Sequence, residues 1–280
     1  MTTTSTAGTL AGLPGRLVLV GAGKMGGALL ESWLALGLDG QKVIVLEPQP
    51  TAELTALAAR GLTLNPPPGS VAGAAALVIA VKPQVAPEVV PRLASFIGTT
   101  TLVLSIMAGM TLHFLEQSLP AGVACVRAMP NTPAAIGRGI TVAVANGQVT
   151  AAQRELAHKL LAATGAVEWI DDEMLMDAVT ALSGSGPAYV FLLAETLARA
   201  GAAAGLPSDL ADKLARVTVA GSGELLHRSS LDPASLRKNV TSPGGTTAAA
   251  LDILMANGGL ETLMRKAVAA ATKRSRELAG

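Results

Sequence analysis

The chain has 280 residues, half of them hydrophobic and 2% aromatic, with a formal net charge of +1 at pH 7. That length allows one large domain or two ordinary ones, with cores built from Leu, Val, Ile, Met and Ala. The near-zero charge gives no basic face for nucleic acid, the single Cys125 excludes an internal disulfide or a C-x-x-C zinc site and fits a reducing cytoplasm, and no apolar run reaches the roughly 18–20 residues of a membrane span.

The first fourteen residues are polar and lack the charged start of a signal peptide, so 1–14 are expected to be a flexible tail. From Arg16 to about Ile170, short apolar runs alternate with helix-like stretches. The runs at 16–20, 42–46, 62–64, 76–81, 101–105, 123–127, 140–144 and 167–170 suit strands buried on both faces of a parallel sheet. Helices are expected between them at 24–37, 51–60, 86–96, 111–118 and 151–163. Such alternation predicts an α/β doubly wound sheet. After Asp171 the strands stop, and 173–204, 208–228, 233–239, 246–256 and 258–278 read as helices. The expected domains are therefore an α/β domain over 15–171 and a helical one over 172–280.

Gly21-Ala22-Gly23-Lys24-Met25-Gly26 follows the first strand and opens the first helix. In that position each glycine has a task. Gly21 permits a tight turn, Gly23 lets the backbone approach a pyrophosphate, and Gly26 lets helix and strand pack closely. The free N–H groups of the helix start attract phosphate. A plain glycine-rich turn is the competing reading, disfavoured by the strand before and the helix after. Glu47 closes the second strand, where an acid accepts the ribose hydroxyls of an adenosine and would repel a 2′-phosphate. An ordinary exposed acid at a strand end is the alternative.

Ligands of open α/β sheets lie beyond the carboxyl ends of the strands. Val81-Lys82-Pro83 ends one strand there, with Lys82 able to reach phosphate or ribose. Ala108 and Gly109 follow another, and Pro130-Asn131-Thr-Pro133 follows a third as a rigid exposed loop that could present Asn131 to a nicotinamide. A solvated lysine and a turn shaped only by its prolines are the bland alternatives.

In the helical half, Ser183-Gly-Ser-Gly-Pro187 interrupts an apolar helix, where Gly and Pro cost about 1 and 3 kcal/mol. It marks a kink, a close helix contact or a site. Ser242-Pro-Gly244-Gly245-Thr246-Thr247 precedes a helix and offers hydroxyls with free N–H groups, suited to a small carboxylate or to plain helix capping. His113, His158 and His227 stand singly, without metal spacing or a triad partner, so no metal site is expected. Few acid–base groups beside a dinucleotide site imply chemistry carried by the cofactor.

Together, GAGKMGGAL (21–29), VKPQ (81–84), RAMPNTP (127–133), DAVTALSGSGPAYVF (177–191) and VTSPGGTT (240–247) resemble the pyrroline-5-carboxylate reductase family, in its order and spacing, over about residues 16–278. The resemblance implies a Rossmann-like domain followed by an all-helical domain that forms an intertwined homodimer, often assembled further as a pentamer of dimers. It implies reduction of 1-pyrroline-5-carboxylate to L-proline, the last step of proline biosynthesis, with NADPH or NADH. The family's carboxylate site matches Ser242, Gly244, Gly245, Thr246 and Thr247, with the Thr247 hydroxyl near the imine nitrogen as the catalytic group. Ser183 and the Pro130–Asn131 loop match the nicotinamide end. One departure is Glu47, which sits where a 2′-phosphate would lie and suggests that NADH is accepted.

A protonated cyclic iminium is already a strong electrophile, so the protein chiefly has to align its carbon with the nicotinamide at roughly 3–3.5 Å. A β-hydroxyacid reductase of similar plan would want a lysine in the first long helix of the helical domain, and residues 173–198 contain none. A non-catalytic dinucleotide-binding regulator is the reading from another class, separated from an enzyme by a turnover assay.

Overall fold

The structure, a computed structural model, describes residues 10–67, 69–71 and 73–279. All eight expected strands form: β1 (Leu17–Val20), β2 (Val43–Leu46), β3 (Thr63–Leu64), β4 (Ala76–Ile79), β5 (Leu102–Ser105), β6 (Ala124–Met129), β7 (Gly139–Ala145) and β8 (Gly165–Trp169). They build one sheet in the order β3-β2-β1-β4-β5-β6-β7-β8. The reversal of strand order beside β1 opens a crevice at the carboxyl ends of β1 and β4, the place where such folds bind nucleotides.

Both faces of the sheet are covered, which is why its strands lack alternation. Leu17 and Leu19 of β1 point into one core with Leu29, Leu30 and Trp33 of α1 (Lys24–Ala35) and Leu160 of α5 (Ala151–Ala162). Val18 and Val20 point into the other core, with Phe96 and with Leu112 and Leu115 of α4 (Leu112–Ser118). The indole N–H of Trp33 donates to the Leu160 carbonyl at 2.8 Å, tying α1 to α5. Between these helices the chain forms α2 (Ala52–Ala59) and α3 (Ala86–Val89). The expected helix 86–96 is α-helical only over α3 and tightens to 3₁₀ over Val90–Phe96, where Pro91 brings no N–H to an α-helical ladder.

The sheet is not wholly parallel. β6 pairs with β7 antiparallel, and β7 with β8 parallel. Only residues 130–138 join β6 to β7, too few for the dozen or more that a parallel crossover needs.

Residues 10–14 depart from the expected tail, whose first nine residues lie outside the described ones. Leu10 and Leu13 are buried in the first core, the Leu10 N–H donates to the Leu36 carbonyl, and the Lys42 ammonium donates to the Leu13 carbonyl. Two buried leucines with these backbone bonds hold it down.

The long helix expected over 173–204 is broken. A 3₁₀ turn (Glu173–Leu175), the short α6 (Met176–Val179) and a π-helical turn (Thr180–Gly184) precede α7 (Gly186–Ala203). α8 (Ser208–Arg228), α9 (Pro233–Asn239), α10 (Thr246–Leu254) and α11 (Leu260–Ala279) follow. By contacts the chain divides into two compact units between Gly184 and Ser185, with the residues from Thr272 belonging to the first. This division falls later than the loss of strand pattern at 171–172. Met176 packs into the second core, and the Asp177 carboxylate accepts from the Ser275 hydroxyl at 2.7 Å, so this early helical segment stays with the sheet.

The helical unit has little core of its own. No residue of α7 is buried, and Phe191, Val217 and Ile253 are 67%, 62% and 75% exposed. Among the described residues no helix is long and apolar enough to cross a membrane, and no cluster of His, Cys, Asp or Glu could hold a metal ion. Cys125 lies buried in β6, and that burial, with the Glu116 carboxylate adding to it, pushes its thiol up to about 12.

Arg127 of β6 is buried, and its guanidinium meets the Glu173 carboxylate at 2.8 Å. The same carboxylate oxygen accepts from the Leu112 N–H, also at 2.8 Å, joining β6, the start of α4 and the segment leading to α6. Removing one charge of a buried pair leaves the other uncompensated. Because Glu173 is partly exposed and Gln keeps an acceptor, Glu173→Gln is expected to lower stability by about 2–3 kcal/mol. Urea unfolding of the two proteins checks this; an unchanged midpoint would show that the pair contributes nothing.

Candidate active site

The glycine turn has the geometry that a dinucleotide needs. Gly21 has φ +89, and a Cβ there would lie 2.9 Å from the Ala80 carbonyl oxygen. Its N–H donates to the Leu46 carbonyl at 2.8 Å, extending the β1–β2 pairing by one step. A Cβ on Gly26 would come within 2.1 Å of the Gly21 carbonyl oxygen, so this close helix–strand contact needs the bare backbone. Gly23 differs: a Cβ there would meet nothing within 4 Å. Gly23 is the N-cap of α1 and makes no side-chain cap hydrogen bond, so the amide donors of the first turn face outward without a capping group. A backbone cradle left open on one side and crowded on the other has the form and the free donors that suit an anion. Lys24 is exposed at the first residue of α1, and Met25 packs half-buried against the first core.

Glu47 stands beside this turn. Its carboxylate accepts from the Ala22 N–H at 2.8 Å and from the Gln49 N–H at 3.1 Å. Beyond β4, Val81 packs against the second core, and exposed Lys82 caps the 3₁₀ turn Pro83–Val85. Beyond β5, Ala108 is exposed and Gly109 turns the chain at φ +76. All of these lie at the carboxyl edge of the parallel strands.

The loop after β6 is more tied down than an exposed loop would be. Pro130 is buried, and the Asn131 side chain is engaged at both ends. Its Oδ1 accepts from the Ile140 N–H at 3.0 Å, and its Nδ2 donates to the Ser183 hydroxyl at 3.3 Å. Asn131 therefore pins the loop to β7 and to the π-helical turn, and its amide is not held out to solvent. The π turn is widened where Gly184 meets Met129, whose methyl carbon a Cβ on Gly184 would approach to 2.4 Å. The first glycine of the Ser-Gly-Ser-Gly segment thus answers a close contact with the end of β6, and Gly186 would meet nothing within 4 Å.

Residues 242–247 belong to the other unit. The Gly245 N–H donates to the Ser242 carbonyl at 3.0 Å, and Gly244 takes φ +69. Gly245 is the N-cap of α10 and makes no side-chain cap hydrogen bond. The hydroxyls of Ser242, Thr246 and Thr247 do not cap the helix, and its first N–H groups have no side-chain cap.

Residues that the sequence reading passed over also contribute. Asn65 holds the Glu47 peptide, accepting from its N–H at 2.9 Å and donating to its carbonyl at 2.8 Å. The Thr51 hydroxyl caps α2 by accepting from the Leu54 N–H at 3.2 Å. Threonine ahead of a helical stretch is a legible capping signal. The Asn65 contact has no local signal, because it joins strands that meet only in the sheet.

Fold and turn together define a doubly wound, dinucleotide-binding α/β protein with an appended helical unit. Residues 173–278 match the family described as "Pyrroline-5-carboxylate reductase dimerisation", and residues 16–109 match "NADP oxidoreductase coenzyme F420-dependent". The chain is 40% identical to a pyrroline-5-carboxylate reductase of Pseudomonas aeruginosa, over 94% of this chain and 97% of that one. It is 38% identical to one of Pisum sativum, over 94% and 95%. A solved pyrroline-5-carboxylate reductase from Coxiella burnetii superposes with a TM-score of 0.87 at 33% identity, covering 95% of this chain and 99% of that one. The Plasmodium falciparum enzyme, solved with NADP bound, superposes at 0.80 with 28% identity and the same coverages. The chain belongs to the pyrroline-5-carboxylate reductase family.

The open face at Gly23 gives a direct check. Gly23→Asp places a carboxylate where the pyrophosphate would approach, adding both bulk and repulsion, while its Cβ meets no protein atom within 4 Å. The variant is expected to fold with unchanged melting temperature and to lose dinucleotide binding by calorimetry. Unaltered affinity would remove the turn from the cofactor site.

Proposed function

We propose that the protein reduces 1-pyrroline-5-carboxylate to L-proline with NADPH or NADH, the last step of proline biosynthesis. The observation that carries this is the pairing, in one chain, of a glycine turn open at Gly23 and a loop 242–247 whose glycine-capped helix start is free for a small carboxylate. The match to named reductases over nearly their whole length supports it.

The dihydronicotinamide supplies the hydride when bound; the ring carbon of the iminium accepts it, and the nitrogen keeps its proton to become the amine of proline. The turn Gly21, Ala22, Gly23, Lys24, Met25 and Gly26 holds the pyrophosphate, with Glu47 at the ribose. Val81, Lys82, Pro83, Ala108 and Gly109 border the cofactor at the strand ends, and Pro130 and Asn131 shape its nicotinamide end by fixing the loop against Ser183. Ser242, Gly244, Gly245 and Thr246 hold the substrate carboxylate, and the Thr247 hydroxyl orients the nitrogen proton. A nucleophile or a strong acid is not needed, because the protonated imine is already activated.

Two copies of the helical unit cover one another in this reading, since the apolar faces of α7, α8 and α10 exceed what a soluble monomer leaves open. A pentamer of such dimers and a cytoplasmic location belong to the same reading. Light scattering of the purified protein is expected to give at least a dimer; a folded, active monomer would refute this assembly.

Oxidation of NADH or NADPH with pyrroline-5-carboxylate tests the activity itself. Thr247→Val is expected to lower kcat by roughly ten- to a hundredfold, the worth of one hydrogen bond to a charged group. Ser242→Ala is expected to raise KM mainly, because the carboxylate is held alike in ground and transition states. Neither hydroxyl caps α10, so melting temperatures should hold; a lost melting temperature with normal kinetics would return both residues to a structural role.

A further inference from the structure

Glu47 is held more firmly than an acid at a strand end needs to be. Both carboxylate oxygens accept backbone N–H groups, from Ala22 at 2.8 Å and from Gln49 at 3.1 Å. Its own peptide is clamped in both directions by the Asn65 side chain, at 2.9 and 2.8 Å. Asn65 itself stands at φ +46, a left-handed conformation that asparagine tolerates better than most residues. The carboxylate cannot swing away from an arriving group without giving up these bonds. Each carboxylate oxygen has two lone pairs, so capacity remains for ribose hydroxyl donors.

Ala22 also lines a cleft of about 390 Å³ between the glycine turn and the start of α2. Its lining carries Lys24, Glu31 and Glu53. No Lys or Arg occurs between Pro48 and Ala59. The start of α2 does not compensate as an anion site. Thr51 occupies the Leu54 N–H, and Glu53 sits in the first turn, where hydrogen bonds from its own N–H and from Thr51 hold its carboxyl below the ordinary range. The adenosine ribose of a dinucleotide lies beside the end of the second strand. A 2′-phosphate there meets the Glu47 carboxylate, fixed by its two backbone donors, with no Lys or Arg on the stretch 48–59 that follows, and discrimination by repulsion follows.

We propose that Glu47 selects NADH over NADPH in this chain, with Asn65 as the residue that positions it. The proposal rests on the reductase reading for its substrate, but not for its binding test. NAD⁺ and NADP⁺ are titrated by calorimetry into the unmodified protein, Glu47→Ser and Asn65→Gly, beside kcat/KM with NADH and NADPH. Glycine keeps the left-handed backbone at position 65 and removes only the clamp. NAD⁺ is expected to bind the unmodified protein at least about tenfold tighter than NADP⁺, a difference of about 1.4 kcal/mol. Glu47→Ser is expected to erase that ratio, mainly by tightening NADP⁺, and Asn65→Gly to reduce it in part. NADP⁺ binding as tight as NAD⁺ in the unmodified protein, or a ratio unmoved in Glu47→Ser, overturns the selector even if turnover persists. A ratio unmoved in Asn65→Gly overturns the positioning role. Selective NAD⁺ binding without any turnover of pyrroline-5-carboxylate supports the selector and counts against the reductase reading instead.

Discussion

A side chain on Gly26 would come within 2.1 Å of the Gly21 carbonyl oxygen, so α1 can start where it does only with bare backbone at that contact. The rest of the nucleotide end depends on this close approach. It sets the first turn of α1 at the carboxyl end of β1, brings Ala22 within hydrogen-bonding distance of Glu47, and leaves Gly23 facing open space. Packing then holds the arrangement rigid: Trp33, fully buried and bonded to the Leu160 carbonyl, anchors the far part of α1 against α5. The turn is thus built on a helix that the core anchors at its far end.

The two units divide the physical work unevenly. The sheet unit buries long aliphatic side chains on both faces of its strands and is a complete core by itself. The helical unit exposes its large apolar residues along α7, α8 and α10. Burying such a surface supplies the free energy that the missing core does not. Stability of this half therefore couples to association, and the loop 242–247 is carried by the part of the chain most sensitive to it.

Around the end of β6, polar contacts add to the packing of the two cores. Glu173 joins Arg127 and the Leu112 N–H, Asn131 joins Ile140 and Ser183, and Met129 presses on Gly184. The contacts of Arg127, Asn131 and Met129 with Glu173, Ser183 and Gly184 join the end of β6 to chain far along the sequence. Together they place the loop after β6 and the π-helical turn side by side, an irregularity of the kind that often marks functional sites.

Much of this was readable in the residues themselves. Unalternating apolar runs located all eight strands, because a strand buried on two faces needs an apolar residue at every step. The glycine spacing located the tight turn between β1 and α1, because only glycine meets the steric demand at Gly21 and Gly26. The burial of residues 10–14 is not legible, because two leucines among Ala, Gly and Pro carry no periodicity until a core exists to receive them. The antiparallel β7 and the roles of Asn65, Asn131 and Glu173 were likewise not legible. Local chemistry states which conformation each segment prefers. Which distant segments meet, and so which polar groups are bonded rather than free, is decided only when the sheet and its helices close over one another.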